Sequence, residues 1–71
     1  MFRFTFEVTY TTKDGRVENM ESYIDSDSDN VYSARGEMAY RLSRNPNVFA
    51  PYSFELKNVY RRICGKWEVY Y

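Results

Sequence analysis

The sequence predicts an α+β domain over residues 1–71, with one helix packed on one face of a single four-stranded, mainly antiparallel sheet in the chain order β-β-α-β-β. Three observations lead to this fold class. Apolar and polar residues alternate over the first ten positions, apolar residues at helical spacing follow from Val31 to Leu42, and a second alternating stretch surrounds Cys64-Gly65. Because no repeat, low-complexity tract or linker interrupts this pattern, we expect a single domain with one core.

The first strand is indicated by a period of two, in which aromatic or branched residues alternate with polar ones. Its apolar set is Phe2, Phe4, Phe6, Val8 and Tyr10. A turn at Lys13-Asp14-Gly15 follows, and a three-residue loop with Gly15 in the left-handed position of a G1 bulge pairs Val8 with Met20. A two-residue Asp-Gly loop instead sets Val8 opposite Glu21. We expect the first register, because a one-residue slip exchanges the two faces of the strand.

The second strand is predicted from about Val17 to Ile24, with Ile24 opposite Phe4 of the first strand. Glu18 and Ser22 fall on the same inner face as these apolar residues. Because polar side chains are costly in a core, we expect a strand that is short or that lies near an edge of the sheet.

The helix is predicted from about Asp29 to Arg44. Apolar residues separated by three, four and four positions form one stripe along it: Val31, Ala34, Met38 and Leu42. Carboxylates near its start, and Arg41 and Arg44 near its end, complement the helix dipole. Pro46 disfavours helical geometry at the preceding residue, so the helix ends there.

The acidic stretch before the helix resembles the start of a calcium loop, with Asp25, Asp27 and Asp29 at alternate positions. The twelfth position of such a loop holds a bidentate glutamate, and here that position is Gly36. The preceding segment is moreover a predicted strand, where the motif has a helix. We therefore interpret the stretch as an N-terminal cap, and we predict no metal site and no cofactor.

A loop from Asn45 to Tyr52, which contains both prolines, is predicted before a second hairpin. We expect Val48 and Phe49 to fold inward there as a plug, because exposing both side chains is costly. Parity then assigns the following apolar residues to the core face of the hairpin: Phe54, Leu56, Tyr60, Trp67, Val69 and Tyr71.

Cys64-Gly65 offers a two-residue turn within this hairpin. It pairs Tyr60 with Val69 on one face and Arg61 with Glu68 on the other, so that apolar residues face each other and opposite charges meet. The preceding loop is long enough for the third strand to enter the sheet from either end, which leaves the strand order open.

Composition argues against most enzyme classes. Ten Lys and Arg balance ten Asp and Glu, histidine is absent, and Cys64 is the single cysteine. Without histidine, the commonest general base, the Ser-His-Asp and Cys-His arrangements and the usual zinc sites are missing. The lone cysteine cannot form an intrachain disulfide, so we expect a cytoplasmic protein. The alternating N-terminus predicts neither a signal peptide nor a membrane span.

The first candidate binding surface is the outward side of the helix, opposite the apolar stripe. It comprises Ser33, Gly36, Glu37, Tyr40 and Arg44, with Arg41 on its flank. Gly36 costs about 1 kcal/mol relative to alanine in mid-helix, which is explained if a partner approaches the backbone there. Tyr40 supplies a rigid anchor and the arginines supply forked donors. In the alternative interpretation, Gly36 is merely tolerated on a solvated face.

The second candidate is a nucleic-acid patch on the second hairpin, formed by Lys57, Arg61, Arg62, Lys66 and Tyr70. In such surfaces guanidinium groups hold phosphates and aromatic rings stack on bases. Glu55 and Glu68 are predicted on the same face and cancel much of the positive field, so protein binding ranks first.

The sequence therefore predicts a non-enzymatic, tyrosine-rich binding protein whose partner is another protein. Tyr23, Tyr40 and Tyr70 are expected outside the core, where tyrosine provides contact area for little loss of rotamer entropy. In size, and in its lack of catalytic groups, the chain is similar to small accessory or inhibitor proteins of phages and mobile elements. A homodimer is compatible with this fold, because one sheet face and two edges are left exposed.

Overall fold

The computed structural model describes residues 1–70 and contains four strands and one helix. The elements are β1 (Phe2–Thr11), β2 (Val17–Ser26), α1 (Val31–Arg44), β3 (Phe49–Ile63) and β4 (Lys66–Val69). The strands form one antiparallel sheet in the spatial order β2-β1-β3-β4. The predicted α+β class and the order β-β-α-β-β are thus confirmed, and the strand order that the sequence left open is defined. The predicted core position of Tyr71 lies outside the described residues.

The first hairpin has the predicted register, with Phe4 opposite Ile24 and Val8 opposite Met20. Gly15 has φ +85°, the left-handed conformation that the three-residue loop requires. The second strand lies at an edge of the sheet, as expected, but it is a full ten residues long. Its polar inner positions are tolerated because the far side of an edge strand is open to solvent.

One buried cluster joins strands and helix. Its members are Phe4, Phe6, Val8, Ile24, Ala34, Met38, Leu42 and Val59. Three of the four residues in the predicted helical stripe are therefore buried, and Val31 packs against the cluster from its margin. We call the sheet face of Phe4, Phe6 and Val8 the inner face, and the opposite face the outer face.

The helix begins at Val31, two residues later than predicted, because Asn30 and not Asp29 forms the cap. Asn30 has an extended backbone, and its side-chain oxygen accepts hydrogen bonds from the N–H groups of Tyr32 and Ser33 at 2.9 and 3.2 Å. The predicted carboxylates precede the first turn and lie outside it. The predicted end at Arg44 is confirmed.

A β-bulge in β3 changes the sheet face on which the later residues of the strand lie, compared with the simple alternation predicted from the sequence. Leu56 lies opposite Phe6 and Asn58 lies opposite Thr5, so β3 contains one extra residue, Lys57, at this point. Beyond the bulge, Val59 lies opposite Phe4 on the inner face. The predicted core parity is therefore correct up to Leu56 and wrong after it.

The bulge moves Tyr60 and its neighbours in the second hairpin to the outer face. Tyr60 lies opposite Arg3, and the predicted pairings of Tyr60 with Val69 and Arg61 with Glu68 are confirmed. Since paired residues share a face, Val69 and Trp67 also lie on the outer face, whereas the sequence placed them in the core. The turn is the predicted two-residue one, with positive φ at both Cys64 and Gly65.

The region predicted as a loop from Asn45 to Tyr52 is partly strand, because β3 begins at Phe49. A second register shift between Thr9 and Thr11 sets Phe49 opposite Thr11 on the outer face, where its side chain is 42% exposed. The predicted inward plug is therefore wrong for Phe49, although Val48 does pack against the core. Pro51 is accommodated because no described strand pairs with the far side of this part of β3.

Because of the bulge, one valine of the second hairpin is buried and another is exposed, so their substitution should have different effects on stability. Val59 is 1% exposed and Val69 is 70% exposed. We expect Val59→Ala to lower the free energy of unfolding by about 2 kcal/mol, and the matched control Val69→Ala to change it by less than about 0.5 kcal/mol. Urea denaturation of both variants measures this difference. Equal costs would contradict the observed register.

Candidate binding surfaces

The outward side of α1 presents two exposed tyrosines on either side of a glycine. Tyr32, Gly36 and Tyr40 follow one another at intervals of one turn, on the side opposite the buried residues Ala34 and Met38. Tyr32 is 86% exposed and Tyr40 is 60% exposed. A Cβ at Gly36 would meet no atom within 4 Å. The backbone between the two rings is therefore open to close approach.

Charged side chains flank this row of tyrosines. Arg41 Nη2 lies 3.1 Å from Glu37 Oε1, and the Arg44 guanidinium lies 5.2 Å from the centre of the Tyr40 ring. The first contact is an exposed ion pair within the helix, and the second places the Arg44 guanidinium beside the Tyr40 ring. We define the outer helix strip by the following residues: Tyr32, Ser33, Gly36, Glu37, Tyr40, Arg41 and Arg44.

All six helix residues singled out from the sequence thus lie together on the outer helix strip. The sequence reasoning did not select Tyr32. Its spacing of four residues before Gly36 and eight before Tyr40 was the signal that could have identified it.

The structure does not bring the five residues of the predicted nucleic-acid patch together. Lys57 lies on the outer face, where its Nζ is 3.5 Å from Glu7 and 3.9 Å from Glu21. Arg61 lies opposite Phe2 on the inner face, and its guanidinium is 5.4 Å from the Tyr70 ring. The other two members divide between the faces: Arg62 is opposite Trp67, and Lys66 is opposite Ile63. The bulge separates Lys57 from Arg61, and Arg62 lies on the other face from Arg61 because neighbouring residues of a strand alternate between the two faces.

A cluster that the sequence reasoning missed occupies one end of the outer face. The Arg3 guanidinium lies 4.0 Å from the centre of the Tyr23 ring and 4.6 Å from that of Trp67. It also donates two hydrogen bonds to Asp25, of 2.8 and 2.9 Å. Arg62 approaches the Trp67 ring at 5.7 Å. The cluster thereby connects all four strands.

The ion pair in this cluster shifts both of its pKa values. The hydrogen bonds from Arg3 lower the pKa of Asp25 below its ordinary range, and the same bonds raise the pKa of Arg3. In the first turn, hydrogen bonds from the Thr12 hydroxyl, the Asp14 backbone N–H and Arg16 lower the pKa of Asp14. Both carboxylates are therefore held in the charged form by donors close to them.

An open groove of about 220 Å³ lies at the other end of the sheet. Its lining is Thr9, Thr11, Val17, Pro51, Tyr52 and Ser53. The lining contains hydroxyl and apolar groups, and it contains no carboxylate, amine or thiol that could act as an acid or base near neutral pH.

Within residues 1–70, no three cysteine or acidic side chains come together in a way that could hold a metal ion. In the same part of the chain, α1 is the only helix, and it is neither long nor apolar enough to cross a membrane.

Comparison with known proteins gives no relative for this chain. No protein-family model matches it, and no significant match occurs among curated proteins or among solved structures.

The pairing of Arg3 with Asp25 can be tested by titration. We expect Arg3→Met to raise the pKa of Asp25 toward the ordinary value of about 4, because its two charge-assisted hydrogen bonds are lost. Asp14 is the internal control, and its pKa should stay low in the same variant. Carboxyl carbon NMR shifts measured against pH report both groups.

The lowered pKa of Asp25 also makes the free energy of unfolding depend on pH in the acid range. Because the folded pKa of Asp25 is lowered, its contribution to stability is complete above about pH 4 and is lost as the pH falls through the folded pKa. Arg3→Met should therefore weaken the dependence of the unfolding free energy on pH below 4. An unchanged Asp25 pKa in this variant would show that the pair does not persist in solution.

Proposed function

We propose that this protein is a non-enzymatic binding protein that engages another protein through the outer helix strip. The observation that carries the proposal is the row formed by Tyr32, Gly36 and Tyr40. Two large, rigid, exposed rings flank a stretch of backbone that no side chain covers. Such rings bury a large area for little loss of rotamer entropy when a partner binds.

We further propose that α1 covers the inner face of the sheet, with the outer helix strip directed away from it. The shared buried cluster supports this arrangement, because Met38 and Leu42 belong to it together with Phe4 and Phe6. With the inner side of α1 anchored in this way, the tyrosines on its other side are presented on a rigid element.

The charges of α1 favour a partner with acidic groups. The helix contains Arg35, Arg41 and Arg44 but a single carboxylate, that of Glu37. Guanidinium groups held near aromatic rings provide forked donors for carboxylates at the rim of an interface. Acidic residues on the partner are therefore expected to surround the positions that contact the tyrosines.

A binding role in the cytoplasm, of accessory or inhibitor type, also agrees with the composition. The chain lacks histidine, and its single thiol, Cys64, lies exposed in a hairpin turn without a second cysteine to pair with. A thiol in that setting has no neighbouring base to activate it. These features favour recognition over catalysis.

Two substitutions in the outer helix strip should separate stability from binding. Gly36→Ala should raise the free energy of unfolding by up to about 1 kcal/mol, because the added methyl group meets open space and favours helix. Tyr40→Ala should change stability by less than about 0.5 kcal/mol. Both should weaken partner binding, Tyr40→Ala by about 2 kcal/mol.

The measurement starts with affinity capture of the partner from the native host, followed by calorimetry on the purified complex. Tyr52→Ala is the matched control, because Tyr52 is an exposed tyrosine at the distant groove. Full affinity in both helix variants would exclude the outer helix strip. Capture of nucleic acid, with affinity falling steeply as salt rises, would instead support the phosphate-binding alternative.

A further inference from the structure

The two edges of the sheet differ in how well they are protected from pairing with another strand. On the β3 and β4 side, β3 contains Pro51 and the bulge at Lys57, and β4 is four residues long. Proline, lysine, bulges and short strands are the usual devices that prevent an edge from adding a strand. The β2 edge contains no proline, glycine or lysine, and its ten pairs with β1 run without a register shift. The charges that it carries are carboxylates, those of Glu18, Glu21 and Asp25.

The outward hydrogen-bonding groups of β2 follow from the pairing at the hairpin turn. The Thr12 N–H donates to the Arg16 carbonyl at 2.7 Å, so this pair is hydrogen-bonded. Hydrogen-bonded pairs alternate in an antiparallel ladder. The N–H and C=O groups that point away from β1 therefore belong to Val17, Asn19, Glu21, Tyr23 and Asp25. All five residues are exposed, and no described strand pairs with that side of β2.

The charge of this edge selects the kind of strand that can be added. Residues 17–30 contain five carboxylates and no lysine or arginine. Asp25 is occupied by both of its bonds to Arg3, whereas Glu18 and Glu21 have only long contacts, at 3.7 Å to Arg16 and 3.9 Å to Lys57. A second copy of β2 would bring three further carboxylates and no cation to this edge, so it offers no opposite charge to Glu18 and Glu21.

We propose that the β2 edge binds an extended, basic segment of a partner protein, which adds as a fifth, antiparallel strand. Cations three residues apart in that segment lie opposite Glu21 on the outer face and Glu18 on the inner face. Main-chain hydrogen bonds to the five outward residues provide affinity, and the two charge pairs set the register. This site is separate from the outer helix strip, so the two proposals can fail independently.

The probe is the capped peptide Thr-Val-Thr-Lys-Val-Thr-Lys-Val, whose lysines fall opposite Glu21 and Glu18 in the proposed register. Binding should shift the amide NMR signals of the five outward residues and slow their hydrogen exchange. Replacing both lysines by glutamate should weaken the affinity by about tenfold. N-methylation of the peptide residues opposite Glu21 and Tyr23 should abolish binding, because it removes donors to the edge.

Charge exchange on the protein gives the complementary test. The double variant Glu18→Lys and Glu21→Lys should prefer the glutamate peptide over the lysine peptide. The control variant Glu55→Lys and Glu68→Lys has the same net charge change away from β2 and should keep the original preference. Comparison of amide spectra before titration confirms that both variants are folded.

Three outcomes with the lysine peptide or with the protein alone would overturn the proposal. These are the absence of binding at about 1 mM peptide, shifts confined to α1 or to the outer face near Trp67, and a wild-type dimer in sedimentation whose protected amides are those of β2. Equal affinity for the N-methylated peptide would also overturn it, since side-chain attraction alone would then explain binding.

Discussion

One extra residue in β3 decides which side chains of the second hairpin reach the core. With Lys57 inserted opposite the step from Thr5 to Phe6, Val59 replaces Tyr60 as the core residue beside Phe4. A valine fits in the buried cluster together with the phenylalanines, where a tyrosine hydroxyl would need a hydrogen-bond partner. The bulge therefore keeps the core small and apolar, and it sends the larger, polar-tipped rings to the outer face.

The cluster around Arg3 on the outer face depends on this exchange of faces after the bulge. Once Tyr60 lies opposite Arg3, the same pairing brings Trp67 within reach of the Arg3 guanidinium. Arg3 then has a ring on two sides and a carboxylate at its end, so its charge is balanced and its position is fixed. On the outer face, the Arg3–Asp25 ion pair thus links β1 to β2, and the contact of Arg3 with the Trp67 ring links β1 to β4.

Local patterns in the sequence were sufficient to predict the strands, the helix and the turns. They were insufficient to predict on which sheet face the residues of β3 and β4 lie after the bulge. The first hairpin register, the turn at Cys64-Gly65 and the end of α1 each depend on a few adjacent residues, and each was predicted correctly. A bulge leaves no comparable local signal, because Lys57 and Asn58 are ordinary strand-surface residues. That the six helix residues share one side of α1 could be predicted because helical spacing needs only one element, whereas the cluster around Arg3 needs the register of all four strands.

The core occupies only one part of an elongated molecule. The long axis is 44 Å and the other two are 18 and 17 Å, whereas a 14-residue helix is about 21 Å long. No residue in 9–23 or 43–58 is fully buried. The end of the sheet that carries the first turn and the start of β3 is therefore stabilised by backbone pairing and by partly buried side chains, among them Tyr10 and Val48. Local opening of such a region costs less free energy than unfolding of the whole protein. The molecule should therefore behave as two cooperative units, the part that contains the buried cluster and the end of the sheet at the first turn, which opens first.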